Sequence, residues 1–90
     1  MAQIILTGTL TCPPERAQSV RDALPEHLRL TRAEPGCITF DVQESAPGVF
    51  DVSERFASRA AFDAHQQHAG QSAWAEITRG CPRDYAICEA

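Results

Sequence analysis

Lysine and asparagine are both missing from this 90-residue sequence, and tryptophan, tyrosine and methionine occur once each. All eight basic residues are therefore arginines, at 16, 21, 29, 32, 55, 59, 79 and 83. They form no stripe, and the net charge is −4. Phosphate neutralisation, the basis of nucleic-acid binding, has no surface to work from, so no nucleic-acid partner is expected. Long apolar runs are missing too, since none approaches the roughly 20 residues of a membrane-spanning helix. The opening MAQIILTGTL has neither a basic leader nor an extended apolar segment. A cytoplasmic location without membrane attachment is the expectation.

Motifs that hold cofactors or nucleophiles are absent as well. Neither G-x-G-x-x-G nor G-x-x-x-x-G-K occurs, so no nucleotide cofactor is implied. There is no G-x-S-x-G elbow, and alternation places Ser53 on the strand face opposite Glu54, which argues against a serine nucleophile. The four cysteines, Cys12, Cys37, Cys81 and Cys88, include no C-x-x-C pair and read as free thiols. Cys81 and Cys88 are separated by a six-residue gap without a neighbouring histidine, so no metal site is expected.

What the chain does contain is an ordinary globular balance, 43% hydrophobic and 22% charged. Residues 1–90 make one domain, which at this size buries only about two-thirds of the surface its unfolded form exposes. A second subunit would add to so modest a core.

Gln3 to Cys12 alternates, with Ile4, Leu6, Gly8, Leu10 and Cys12 on one face and Ile5 and three threonines on the other, a half-buried strand. Pro13-Pro14-Glu15 stops it and starts a helix. Ala17, Val20, Leu24, Leu28 and Thr31 then recur at helical spacing to about Ala33. Pro25 predicts a bend near Arg21 to Leu24, or a division into two short helices.

Glu34-Pro35-Gly36 ends that segment. Cys37 to Glu44, with Ile38, Phe40 and Val42 on one face, and Val49 to Ala57 form a hairpin around Ala46-Pro47-Gly48. Ser58 caps a helix from Arg59 to about His68, Gly70 breaks it, and a second piece runs from Gln71 to about Arg79. Arg83 to Glu89 is a last strand, with Tyr85 and Ile87 on one face.

The order β-α-β-β-α-α-β predicts an α+β, ferredoxin-like antiparallel sheet with helices on one face. The other face carries Ile5 and threonines, with Cys37, Thr39, Val49 and Cys88 as further candidates. It is too apolar for full exposure, so it should pack on a second copy in a homodimer.

Glu54 is the anomaly. It shares the apolar face of its strand with Phe50, Val52 and Phe56, and an unpaired buried carboxylate needs either a partner or a proton. His65 lies one helical turn beyond Phe62, on the side that should cover the sheet near Glu54. A Glu54–His65 contact would fix the imidazole tautomer and raise its basicity. The structural alternative pairs Glu54 with Arg59 or a helix terminus and leaves His65 as a satisfied core histidine. Trp74 reads as packing or as a stacking surface, and Phe40, Phe50, Phe56 and Phe62 read first as packing and then as pocket lining. His68 should point to solvent, and His27 sits among polar residues; neither suggests a catalytic role.

The stretches EPGCITFDV, PGVFDVSERF and RAAFDAH, followed by Trp74, occur in order with similar gaps through nearly the whole chain. Together they resemble the antibiotic-biosynthesis monooxygenase family of small dimeric α+β barrels. The resemblance implies a homodimer through the sheet face, no bound cofactor, and a small electron-rich aromatic, quinol-like substrate oxidised with dioxygen. Glu54 matches the family's acid in an E-x-[WF] strand ending, and His65 the histidine of an A-x-x-A-H-like helix. Those two become the catalytic candidates, with Trp74, Phe40, Phe56 and Phe62 as substrate-binding candidates. The first strand offers Thr7, Gly8 and Thr9 where some relatives place an asparagine, and the Asn-Trp-His pattern of haem-degrading relatives is missing. Two further readings stay open: a non-catalytic small-ligand-binding or stress-response barrel, and an isomerase of a small carbonyl compound.

Overall fold

Alternating burial organises the sheet. In β1 (Ile4–Thr11), Ile4, Leu6 and Leu10 are buried while Thr7 and Thr11 face outward; in β3 (Val49–Phe56), Phe50, Val52, Glu54 and Phe56 are buried while Asp51 and Ser53 are exposed. The computed structural model describes residues 2–90. Its elements run β1, α1 (Pro14–Arg32), β2 (Cys37–Ala46), β3, α2 (Arg59–Gly70), α3 (Ala73–Ile77) and β4 (Arg83–Glu89). The strands lie in the order β2-β3-β1-β4, every neighbouring pair antiparallel. This is the expected α+β, ferredoxin-like plan. Among the described residues no helix is long and apolar enough to cross a membrane.

The β2–β3 hairpin turns through Pro47 and Gly48, with Gly48 at φ +77°. A side chain there would also meet the Cys12 carbonyl oxygen at 2.5 Å, so glycine suits both the turn and its close approach to the end of β1. Arg21 of α1 grips Glu44 with Nε at 2.6 Å and Nη2 at 2.8 Å, tying helix to hairpin. The core packs Leu10, Val20, Phe50 and Phe56, all fully buried, between sheet and helices.

Three local expectations are corrected. Of the two outcomes expected at Pro25, division into two helices does not occur, and the first helix runs unbroken from Pro14 to Arg32. It removes one backbone donor, and burial of Ala17, Val20, His27 and Thr31 on both sides of it holds the helix in place. In β2 a bulge between Cys37 and Thr39 reverses the expected faces at the strand's start. Cys37 therefore packs against the core, and Ile38 is left 47% exposed. The last helical piece is one short helix, Ala73–Ile77, capped by Ser72 Oγ, which accepts from the Ala75 N–H at 3.3 Å.

Candidate active site

The site starts on β3. Its pleat turns Glu54 inward between Val52 and Phe56, in register with Leu6 on one side and Phe40 on the other. Glu54 is only 6% exposed, and its Oε1 has no hydrogen-bond partner among the described residues. Arg59 does not neutralise it, because that guanidinium lies over the Phe62 ring, 5.8 Å from its centroid. Burial first, and the nearby Glu34 carboxylate second, push Glu54 up to about 7. At neutral pH the acid is thus poised between donor and acceptor.

Helix α2 brings His65 to the same place. Ser58 Oγ caps the helix by accepting from the Ala61 N–H at 3.1 Å, and one face then buries Phe62 and His65. The imidazole stacks on Phe56 at 5.0 Å and meets Phe40 edge-on at 5.5 Å. Its Nε2 faces Glu54 Oε1 across 3.9 Å, an approach too long for a hydrogen bond. The expected role of Glu54 as the orienting carboxylate is therefore corrected. That position belongs to Glu34, whose Oε2 lies 2.7 Å from His65 Nδ1.

A carboxylate only accepts, so Nδ1 donates, and whenever the imidazole carries a single proton it presents an unprotonated Nε2 toward Glu54. Glu34 stands in the turn after α1, where its N–H donates to Thr31 O and its carbonyl accepts from the Cys37 N–H. Gly36, at φ +86°, lets α2 approach this turn, because a Cβ there would fall 2.5 Å from the Ala61 Cβ. The other Glu34 oxygen, Oε1, lies 2.9 Å from Nδ1 of His68. His68 is exposed, as expected, but not idle.

A cavity of about 190 Å³ opens beside Glu54 and His65. Trp74 of α3 and His27 of α1 form part of its wall, stacked at 4.5 Å and nearly parallel at 4°. Phe40 also lines it, whereas Phe56 and Phe62, two of the substrate-binding candidates, do not. Those two pack on each other at 5.8 Å in the core, with Phe56 supporting the underside of His65.

Sequence reasoning set His27 aside and took Glu34 only as a helix end. His27 is buried, and burial first, then the His65 charge, lower it to about 4, so it stays neutral. The signal was available: position 27 completes a series with Val20, Leu24 and Thr31 at spacings of four, three and four. Glu34 gave no such signal, because the contact joins a turn to a helix 31 residues away.

The far wall comes from β4. Tyr85 pairs with Gly8, and a side chain at Gly8 would clash with the Tyr85 ring and the Asp84 carbonyl. The first strand, which has no asparagine, thus gives room at Gly8 for the Tyr85 ring instead of presenting an amide. The Arg83 guanidinium donates to Thr78 Oγ1 at 2.7 Å and to the Cys81 carbonyl at 3.1 Å, and the residue forms part of the cavity lining. No group of three or more potential ligands able to hold a metal ion occurs among the described residues.

Residues 3–77 match the family model described as antibiotic biosynthesis monooxygenase. A Mycobacterium tuberculosis protein with the name "Putative monooxygenase Rv0793" is 39% identical over 54 residues, 59% of this chain. The chain spans about half the length of that curated relative, 54%. Its solved structure superposes at a TM-score of 0.74 with 24% identity, over 96% of this chain and 92% of that one. Two further solved structures with the name "putative antibiotic biosynthesis monooxygenase" are similar in fold. One from Nitrosomonas europaea has a TM-score of 0.84 and 20% identity, covering 98% of this chain and 89% of its own. One from Deinococcus radiodurans has a TM-score of 0.75 and 25% identity, covering 97% and 91%. With a family model spanning most of its length and the fold to match, this chain belongs to the antibiotic biosynthesis monooxygenase family.

Proposed function

We propose that the protein is a monooxygenase that oxidises a small, single-ring, electron-rich aromatic of quinol type with dioxygen, using its own side chains as the acid and base. The observation that carries this reading is the 3.9 Å separation between His65 Nε2 and Glu54 Oε1 at the edge of a cavity walled by a stacked imidazole and indole. The volume supports a single ring, since a cavity of about 150 Å³ is enough for benzene. A second copy packing on the open sheet face, where Ile5 is half-buried and Thr7, Ala86 and Cys88 are exposed, would complete a homodimer.

In this mechanism His65 Nε2 takes the phenolic proton, and Glu34 stabilises the imidazolium through Nδ1. The phenolate gives one electron to dioxygen, and the resulting pair recombines to form a carbon–oxygen bond. His65 returns its proton to the outer peroxide oxygen. Glu54, in its neutral form, then protonates the departing hydroxide as the O–O bond breaks and recovers a proton from the same ring carbon. For a quinol the balance is quinol plus dioxygen to hydroxyquinone plus water. The Phe40 and Trp74 rings on the cavity wall displace water from one side of the phenolate, which makes it easier to oxidise.

An oxygen electrode with a panel of quinols tests this. Consumption above background that disappears in His65→Ala supports the reading, and consumption unchanged in that variant defeats it. The isomerase alternative uses the same pair, and a carbonyl substrate rearranged without oxygen uptake would select it.

A further inference from the structure

The carboxylate of Glu34 touches two imidazoles of very different exposure. His65 has 4% of its side chain exposed, Glu34 18% and His68 67%, so the three groups lead stepwise from the cavity wall to solvent. The links measure 2.7 Å and 2.9 Å, both hydrogen-bonding distances, and each uses a different oxygen of Glu34. His65 Nε2 has no such outlet, since it faces Glu54, with the His27 ring 6.4 Å from its own, and a bound ligand would close that side.

We propose that Glu34 and His68 form a proton path between His65 and bulk water. The inference rests on the reading of His65 as the cavity's proton acceptor. Imidazolium His65 passes its Nδ1 proton to Glu34, leaving neutral His65 with its proton on Nε2 and Glu34 as the carboxylic acid. Carboxyl rotation and turning of the exposed His68 ring bring the new O–H to an unprotonated His68 nitrogen. Glu34 returns to carboxylate, and imidazolium His68 releases one proton to water or buffer. Run backwards, the same steps restore the Nδ1 proton. The path lets His65 change protonation state while a ligand seals the cavity.

The test needs no turnover: exchange of the His65 Nδ1 proton with water is followed by nitrogen-15 NMR. His68→Ala, at an exposed position that should not disturb folding, is expected to slow exchange by roughly a hundredfold, the scale that a positioned proton carrier contributes. Added imidazole, a small diffusible carrier, should restore it. Glu34→Gln, which cannot take a proton, should slow exchange without rescue by imidazole. Exchange unchanged in His68→Ala, or slowed but indifferent to imidazole, overturns the path. Oxygen uptake is a separate readout, so a quinol panel without activity would defeat the proposed reaction and leave the exchange result standing.

Discussion

The helix-covered face of the sheet has two regions that are both buried and chemically unlike. Near the hairpin end of β1 and β3, Leu10 and Phe50 stand opposite each other beneath Val20, all at 0% exposure and all hydrocarbon. Four residues along β3 from Phe50, Glu54 is 6% exposed, with His65 at 4% and His27 at 8% around it. Burial alone therefore does not distinguish core from site. What distinguishes them is that the second region buries polar side chains, and for two of them, Glu54 and His27, burial disfavours the charged form. A fold under no other demand would fill it with leucine.

Substitutions can break that contrast. The largest effect expected is on chemistry: His65→Ala should lower oxygen uptake with an active quinol by about three orders of magnitude, within the range for loss of a positioned base. Phe50→Ala, in the hydrocarbon region, should cost about 4 kcal/mol in urea unfolding while the remaining folded protein keeps its activity per molecule. If Phe50→Ala abolished activity in folded protein, or His65→Ala left uptake intact, the division into core and site would fail.

A smaller effect sharpens the comparison through pH. Glu54 is raised from 4.5 to about 7, so between these values the folded state holds more proton than the unfolded one. Its contribution to stability therefore falls as pH rises through that window, by about 3 kcal/mol. His27 is lowered from 6.5 to about 4, so the unfolded state holds more proton and stability rises with pH between those limits by a similar amount, about 3 kcal/mol. The two slopes oppose each other across their overlap, from 4.5 to 6.5. Wild-type stability should be nearly flat there. Glu54→Gln should uncover the rise and His27→Phe the fall, as measured by denaturant unfolding at several pH values. Flat curves in both variants would show that neither group is perturbed by the cavity.

The smallest expected effect concerns support. Ser58→Ala removes the cap of the helix that carries His65 and should cost about 1 kcal/mol in thermal unfolding. A loss no greater than that of a surface control would show that tertiary contacts alone hold α2.

Much of the fold was legible because alternation and turn chemistry act locally. The β2–β3 hairpin follows from two alternating runs around Pro47-Gly48, and Glu54 stood out because it broke the apolar phase of its strand. The bulge at Ile38 was not legible, since a single extra residue changes faces without changing composition. At the site, Phe40, Trp74, Phe56 and Phe62 are all candidates for lining the pocket on sequence grounds, yet only Phe40 and Trp74 border the cavity, while Phe56 and Phe62 belong to the core beneath it. Sequence gives a side chain's face but not what lies across from it. The Glu34–His65 bond depends on how closely α2 approaches a turn, a distance set by Gly36 and Ala61 together.

Trp74 has one more consequence. It is the chain's sole indole, it lies flat against His27, and it borders the cavity. Its ultraviolet emission therefore comes from one place only. Charging of His27 or arrival of an aromatic guest must alter the spectrum of that single fluorophore, giving the native protein a label-free optical gauge of its own interior.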